Sequence, residues 1–264
     1  MKRLSKILIE TDKVTKNVLK KCFEINYPEK EINIHDAMIL GLLEDMIGKT
    51  KSLVTLIQNQ DYNVLAAITR MIFESHIYLK FILDKETVNR ASSYFFSMKI
   101  DEIKLFDSLI EQSLVGREIR KFLSIDRTKF LEQNSKHINE QYRRDVEHDY
   151  LKALNLKSKK DKWYNYNGKI RSFRDLCKHL NMEKEYVLLY KTFSKEIHSQ
   201  EALKYFSFEK NMITVLEKQD NSELYTSSVS LFLIETVRAI YTYYDLYKDK
   251  REFNNILKLN YQIN

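Results

Sequence analysis

Apolar residues recur at helical spacing along most of the chain. From 4 to 26, Leu4, Leu8, Val14, Val18, Cys22 and Phe23 trace an amphipathic stripe that stops before the single proline, Pro28. A second helix is predicted over 33–58, marked by Met38, Leu42, Ile47, Leu53, Leu56 and Ile57, with Gly41 and Gly48 tolerated inside it. Asp61 is a natural N-cap for a third helix reaching Leu83. That segment, DYNVLAAITRMIFESHIYLKFIL, is apolar on nearly every side, the pattern of a helix surrounded by others. Further helices are expected over 86–113 and then, past a break at Gly116, in one or two charged segments to about 154. After a long loop over 155–168, Ser172 can cap a short helix to 180, a longer one follows over 183–199, and the last runs over 222–247.

Composition agrees with this reading. Four Gly and one Pro leave too few turn residues for a many-stranded sheet protein, so the expected class is all-α, a multi-helix bundle around a central buried helix. The length of 264 residues fits one large helical domain, with sub-bundles 1–154 and 170–264 as the alternative organisation. The last helix is apolar around most of its circumference, but Glu235, Arg238 and Asp245 interrupt it, which argues against a membrane span and for a bundle or homodimer interface. Two cysteines, Cys22 and Cys177, are too few for a disulfide scaffold or a four-cysteine zinc site. They suit a reducing compartment, and the N-terminus carries no signal-peptide pattern, so the expected location is cytoplasmic.

Forty-four Lys and Arg against 37 Asp and Glu give a net charge of +7, a weak attraction to nucleic acid or anionic surfaces. Most of the charge is interspersed, as on solvated helix faces. The exception is KSKKDKWYNYNGKIR, the core of a basic aromatic loop near 155–169.

Three constellations carry possible chemistry. Arg70 and Glu74 lie four apart on the third helix among Ala67, Ile77, Tyr78 and Phe81, so an ion pair is expected in an apolar setting, either as a lock between helices or as an anion-binding group. Tyr190, Ser194 and His198 align a phenol, a hydroxyl and an imidazole along one helical stripe. Arg174 and His179 are separated by four residues, a spacing that Arg143 and His148 share. No metal is expected, since no H-E-x-x-H, Cys-x-x-Cys or paired Glu-x-x-His spacing occurs, and there is no P-loop or G-x-G-x-x-G for a nucleotide cofactor.

The Arg174 to His179 spacing resembles the Arg-x(4–6)-His motif of the higher eukaryote and prokaryote nucleotide-binding (HEPN) ribonucleases, all-helical and often dimeric proteins of toxin and phage-defence systems. A broader resemblance rests on the Arg70-to-Glu74 helix, the Trp163-Tyr164 loop leading through Gly168-Lys169-Ile170-Arg171 into a short helix, and Tyr190, Ser194 and His198 at four-residue steps. Together these resemble the bacterial all-helical family catalogued as domain of unknown function 5677. That resemblance implies one shared site containing Arg70, Glu74, Trp163, Ser194 and His198, and favours His198 over His179.

Two functions follow. In one, a metal-independent ribonuclease uses His198 as acid or base, Arg70 to hold phosphate, and Glu74 and Ser194 to position them. Trp163, Tyr190, Lys169, Arg171 and Arg174 would bind RNA. In the other, a non-catalytic helical module binds a protein partner or small ligand, and the Arg, Glu, Ser and His cluster is a structural polar lock.

Overall fold

The computed structural model describes residues 2–25, 31–134, 137–191, 193, 206–209, 212–215 and 220–261. Among the described residues the fold is all-α apart from one short pair of strands. The helices are α1 (Lys2–Ile25), α2 (Ile34–Gln58), α3 (Leu65–Asp84), α4 (Thr87–Ile110), α5 (Leu114–Phe122), α6 (Arg127–Asn134), α7 (Glu140–Ala153), α8 (Phe173–His179) and α9 (Glu183–Glu185). A π-helix, Tyr186–Lys191, continues α9, and α10 (Ser222–Tyr243) and α11 (Tyr247–Tyr261) end the described chain. Strands β1 (Phe206–Glu209) and β2 (Met212–Val215) pair antiparallel, with Phe206 opposite Val215.

The chain divides into two compact units, residues 1–85 with 176–264, and residues 86–175. This division follows helix packing and does not coincide with sub-bundles parted by the basic loop.

In the first unit, α3 packs between α2 and α10, α1 packs on the same two helices, α2 and α10 also touch each other, and α11 rests on α10 and α1. The all-round apolar pattern of α3 has the expected result: Leu65, Ile72, Phe73, Ile77, Phe81 and Ile82 are buried on several faces. Phe73 meets Phe232 of α10 at a centroid distance of 5.2 Å. Each such side chain withdrawn from water contributes about 1.5–3 kcal/mol, which holds these helices together.

The ends of α3 and α10 differ from the sequence reading. Asp61 does not cap α3; its carboxylate accepts from the Asn63 N–H in the preceding turn, and the helix begins at Leu65. Asp245 adopts a left-handed φ of 56°, closing α10 at Tyr243 and starting α11, whose Phe253 and Leu257 are buried one turn apart.

In the second unit, α5, α6 and α7 pack around α4. The break before α5 lies at Glu111–Ser113, where the Ser113 hydroxyl caps the helix by accepting from Gly116 N–H. Gly116 sits inside α5 because a Cβ there would stand 2.4 Å from the Glu111 carbonyl oxygen. The same carbonyl end of α4 is closed by arginines: Arg120 donates to the Leu109 and Glu111 carbonyls at 2.7 and 2.8 Å, and Arg127 to Ile110 at 2.8 Å. Asn139 caps α7, and Ser172 with Asp175 forms a capping box at the head of α8.

Candidate functional site

Two polar clusters occupy α3, both within the first unit. In the outer one, Arg70 donates from Nε to Glu74 Oε1 at 3.2 Å and from Nη2 to the Tyr190 hydroxyl at 2.5 Å. The guanidinium carbon also stands 3.9 Å from the centre of the Tyr190 ring, and Tyr186 stacks on that ring at 5.2 Å. Arg70 therefore ties α3 to the π-helix. The expected burial of the ion pair is only partial: the two side chains are 18% and 31% exposed, placing them at the margin of the apolar helix. Burial, and then the Glu74 carboxylate, push the Tyr190 phenol upward, so it remains a neutral donor and acceptor at neutral pH.

Ser194 and His198, the other members of the stripe, lie outside the described residues.

The inner cluster was not anticipated. His76, 1% exposed, accepts at Nδ1 from the Thr236 hydroxyl at 2.8 Å and faces Glu235 Oε2 from Nε2 at 3.5 Å, beyond good hydrogen-bond length. The carboxylate on the Nε2 side assigns the ring proton to that nitrogen. Lys80 reaches the same carboxylate oxygen at 3.4 Å. Complete burial pushes the His76 pKa below its ordinary 6.5, leaving the ring neutral at neutral pH. The neighbouring imidazole, more than any other group, holds the Glu235 carboxyl down at about 2, with Lys80 adding to the effect.

Glu235, His76 and Thr236 stand in the order of an activated hydroxyl. Their setting does not match that chemistry. Thr236 is 2% exposed, and all three residues lie inside helices, where backbone N–H groups are committed to the helical ladder and form no oxyanion hole. The adjoining cavity of about 260 Å³ falls below the ~300–1,000 Å³ typical of ligand pockets. The cysteines are equally unreactive. Burial pushes the Cys22 thiol to about 11 and Cys177 to about 12, far from thiolate formation. Among the described residues no group of three His, Cys, Asp or Glu is placed to hold a metal ion, and no helix is long and apolar enough to cross a membrane.

The basic aromatic loop belongs to the second unit. Trp163 and Tyr164 are buried at 7% and 4% exposure, and the Trp163 ring packs on Tyr94 at 4.8 Å and on Tyr164 at 5.4 Å. The Trp163 carbonyl accepts from the Ser93 hydroxyl at 2.7 Å. The Trp163 ring, expected to stack on a ligand base, is covered by protein. Lys169, Arg171 and Arg174 are exposed. His179 is exposed as well, with its ring edge near Phe81 at 6.1 Å.

These features define an all-helical bundle with paired polar clusters on its central helix. The chain belongs to the Family of unknown function (DUF5677), whose model matches residues 36–214. That span takes in Arg70, Glu74, Trp163, Tyr190, Ser194 and His198, whereas Glu235 lies beyond it. No curated protein and no solved structure matches the chain.

The sequence signal for the inner cluster was present in part. His76 and Glu235 are ionisable residues in otherwise apolar helices, which marks each for explanation. Their pairing depends on the contact of α3 with α10, which one sequence does not encode locally.

Proposed function

We propose that this chain acts by binding, as a non-catalytic helical module, and that Arg70, Glu74 and Tyr190 form a structural lock fastening the 183–191 segment to α3. One observation carries this reading: the Arg70 guanidinium is engaged by Glu74 and Tyr190 and stacked on the phenol ring, so the group that would grip a phosphate is committed within the protein. The inner cluster supports it, since His76 is buried and bonded to Thr236, with Glu235 3.5 Å from its other ring nitrogen.

A metal-independent ribonuclease of HEPN type, acting in phage defence, is the second reading. Its supporting observation is the same Arg70 to Tyr190 bond, because Tyr190 precedes Ser194 and His198 by one and two helical steps in the sequence.

Arg70→Ala and His198→Ala separate the two. The lock predicts no metal-free cleavage of RNA by the wild-type chain and a melting temperature lowered by several degrees in Arg70→Ala. Cleavage by the wild type that His198→Ala abolishes without altering melting would replace the lock with the ribonuclease.

A further inference from the structure

Residues 155–171 enclose a cavity of about 570 Å³, a volume within the ~300–1,000 Å³ of ligand pockets. It lies wholly inside the second unit. Lys157, Lys160, Lys162 and Arg171 contribute to its wall. Between Asn155 and Arg171 six basic residues meet a single acid, a charge of +5 against +7 for the whole chain, so this short stretch holds most of the net positive charge.

That acid also lines the cavity, but its carboxylate forms no ion pair with the lysines. The Asp161 carboxylate accepts from the backbone N–H groups of Lys157 and Ser158, both at 3.1 Å, and from Asn165 Nδ2 at 3.4 Å. Asp161 is thus spent on shaping the loop, and the Tyr150 hydroxyl holds its carbonyl at 2.5 Å. Among the described residues, no carboxylate pairs with the side chains of Lys157, Lys160 or Lys162. Gly168, at φ 69°, turns the chain so that Arg171 Nε donates to its carbonyl at 3.1 Å, bringing the guanidinium to the rim.

An independent observation points to the ligand. Asn165 also lines the cavity; it is 8% exposed and its buried Oδ1 has no hydrogen-bond partner. A buried acceptor left unpaired is a standing cost that an N–H or O–H donor removes. The cations call for an anion, and Asn165 calls for a donor on the same molecule.

We propose that this cavity binds a nucleoside phosphate, its phosphate held by Lys157, Lys160, Lys162 and Arg171 and a base amino or sugar hydroxyl donating to Asn165. The site stands independently of the Arg70 lock and of any turnover in the first unit. The same chemistry is offered by a free nucleotide and by a unit of an RNA strand.

Trp163, the one tryptophan of the chain, is buried in this same loop and reports on it by fluorescence. The full chain is titrated with uridine and adenosine monophosphates, inorganic phosphate and a short single-stranded oligoribonucleotide, with calorimetry in parallel. The nucleotides are expected to bind about tenfold or more tightly than inorganic phosphate, the advantage of satisfying a buried acceptor. Asn165→Ala should remove that advantage while phosphate binding persists. Lys160→Ala and Lys162→Ala, both at exposed positions, should weaken nucleotide and phosphate alike, so the proposal remains testable even where Asn165→Ala fails to fold. An oligoribonucleotide that binds more tightly than the mononucleotide, with a steep salt dependence, identifies RNA as the source; equal affinities identify the free nucleotide. Absence of binding by both nucleotides and oligoribonucleotide, or binding indifferent to Lys160→Ala and Lys162→Ala, overturns the site.

Discussion

Helix α3 and the 155–171 loop dispose of their ionisable residues in opposite ways. On α3 the ionisable groups turn toward other protein groups: Arg70 is held by Glu74 and Tyr190, and His76 by Thr236, with Glu235 beside its other ring nitrogen. In the 155–171 loop the aromatics turn inward and the lysines outward. Residue type alone therefore does not mark a ligand site. The arginine of the apolar helix α3 is spent inside the protein, whereas Lys157, Lys160 and Lys162, with no carboxylate of their own, stay exposed.

The largest effect that tests this contrast is expected at Trp163. If the ring is a packing anchor, Trp163→Ala removes a buried aromatic and costs about 3–5 kcal/mol, read as a lowered midpoint in urea unfolding followed by circular dichroism. A ring held out for ligand stacking would behave as a surface residue, with a change within about 0.5 kcal/mol. The second result would erase the distinction between α3 and the loop.

Much of the helical framework was legible in the sequence because burial on all sides leaves a strong mark. The run from Leu65 to Ile82 offers few polar positions to face water, and α3 is the helix that packs between α2 and α10. The basic loop was legible from its charge and from Gly168. Its inward aromatics were not, since Trp163 and Tyr164 beside lysines satisfy either orientation until Tyr94 and Ser93 are placed beneath them. YVLLYK reads as ordinary α-helix, and nothing local announces a π-helix. The Arg70 to Glu74 pair was readable from its four-residue spacing, but Tyr190 and Glu235 reach α3 from 120 and 155 residues away, measured from Arg70 and Lys80.

Next in size is the lock. Arg70→Ala strands a partly exposed Glu74 and frees the π-helix, for a loss of about 1–2 kcal/mol, less than the 3–5 of a fully buried pair. Arg70→Lys should recover only part of this, because an ammonium cannot hold the carboxylate and phenol together while stacking on the ring. A double-mutant cycle of Arg70→Ala with Tyr190→Phe should give a coupling of about 0.5–1 kcal/mol. Zero coupling would mean the contact contributes no fastening.

Acid provides a smaller effect that divides the inner cluster by pH. Both folded pKa values are depressed, so the unfolded chain binds more protons at each and stability falls as pH is lowered. The His76 contribution begins to decline below its ordinary 6.5, and that of Glu235 between 4.5 and about 2. With Glu235 at 38% exposure, solvent screening reduces its share to about 1 kcal/mol. Glu235→Gln should flatten the lower limb of a stability-against-pH curve. His76→Phe should remove the upper limb. A curve unchanged by both would mean that neither group is perturbed by its neighbours.

The smallest expected change is the most discriminating for the loop. Lys157, Lys160 and Lys162 are exposed, and without a carboxylate partner their removal strands no opposite charge. Single alanine substitutions should leave stability within about 0.5 kcal/mol of wild type, the range of surface positions without structural duty. Removing one cation also relieves repulsion among its neighbours, so a slight gain in stability at low salt is expected, fading as salt screens the loop. That gain gives an independent sign of charges assembled against their own repulsion. A loss of about 1 kcal/mol or more at any of the three would mean that the lysine is pairing within the protein, as Arg70 does, and the contrast between α3 and the loop would disappear at that position.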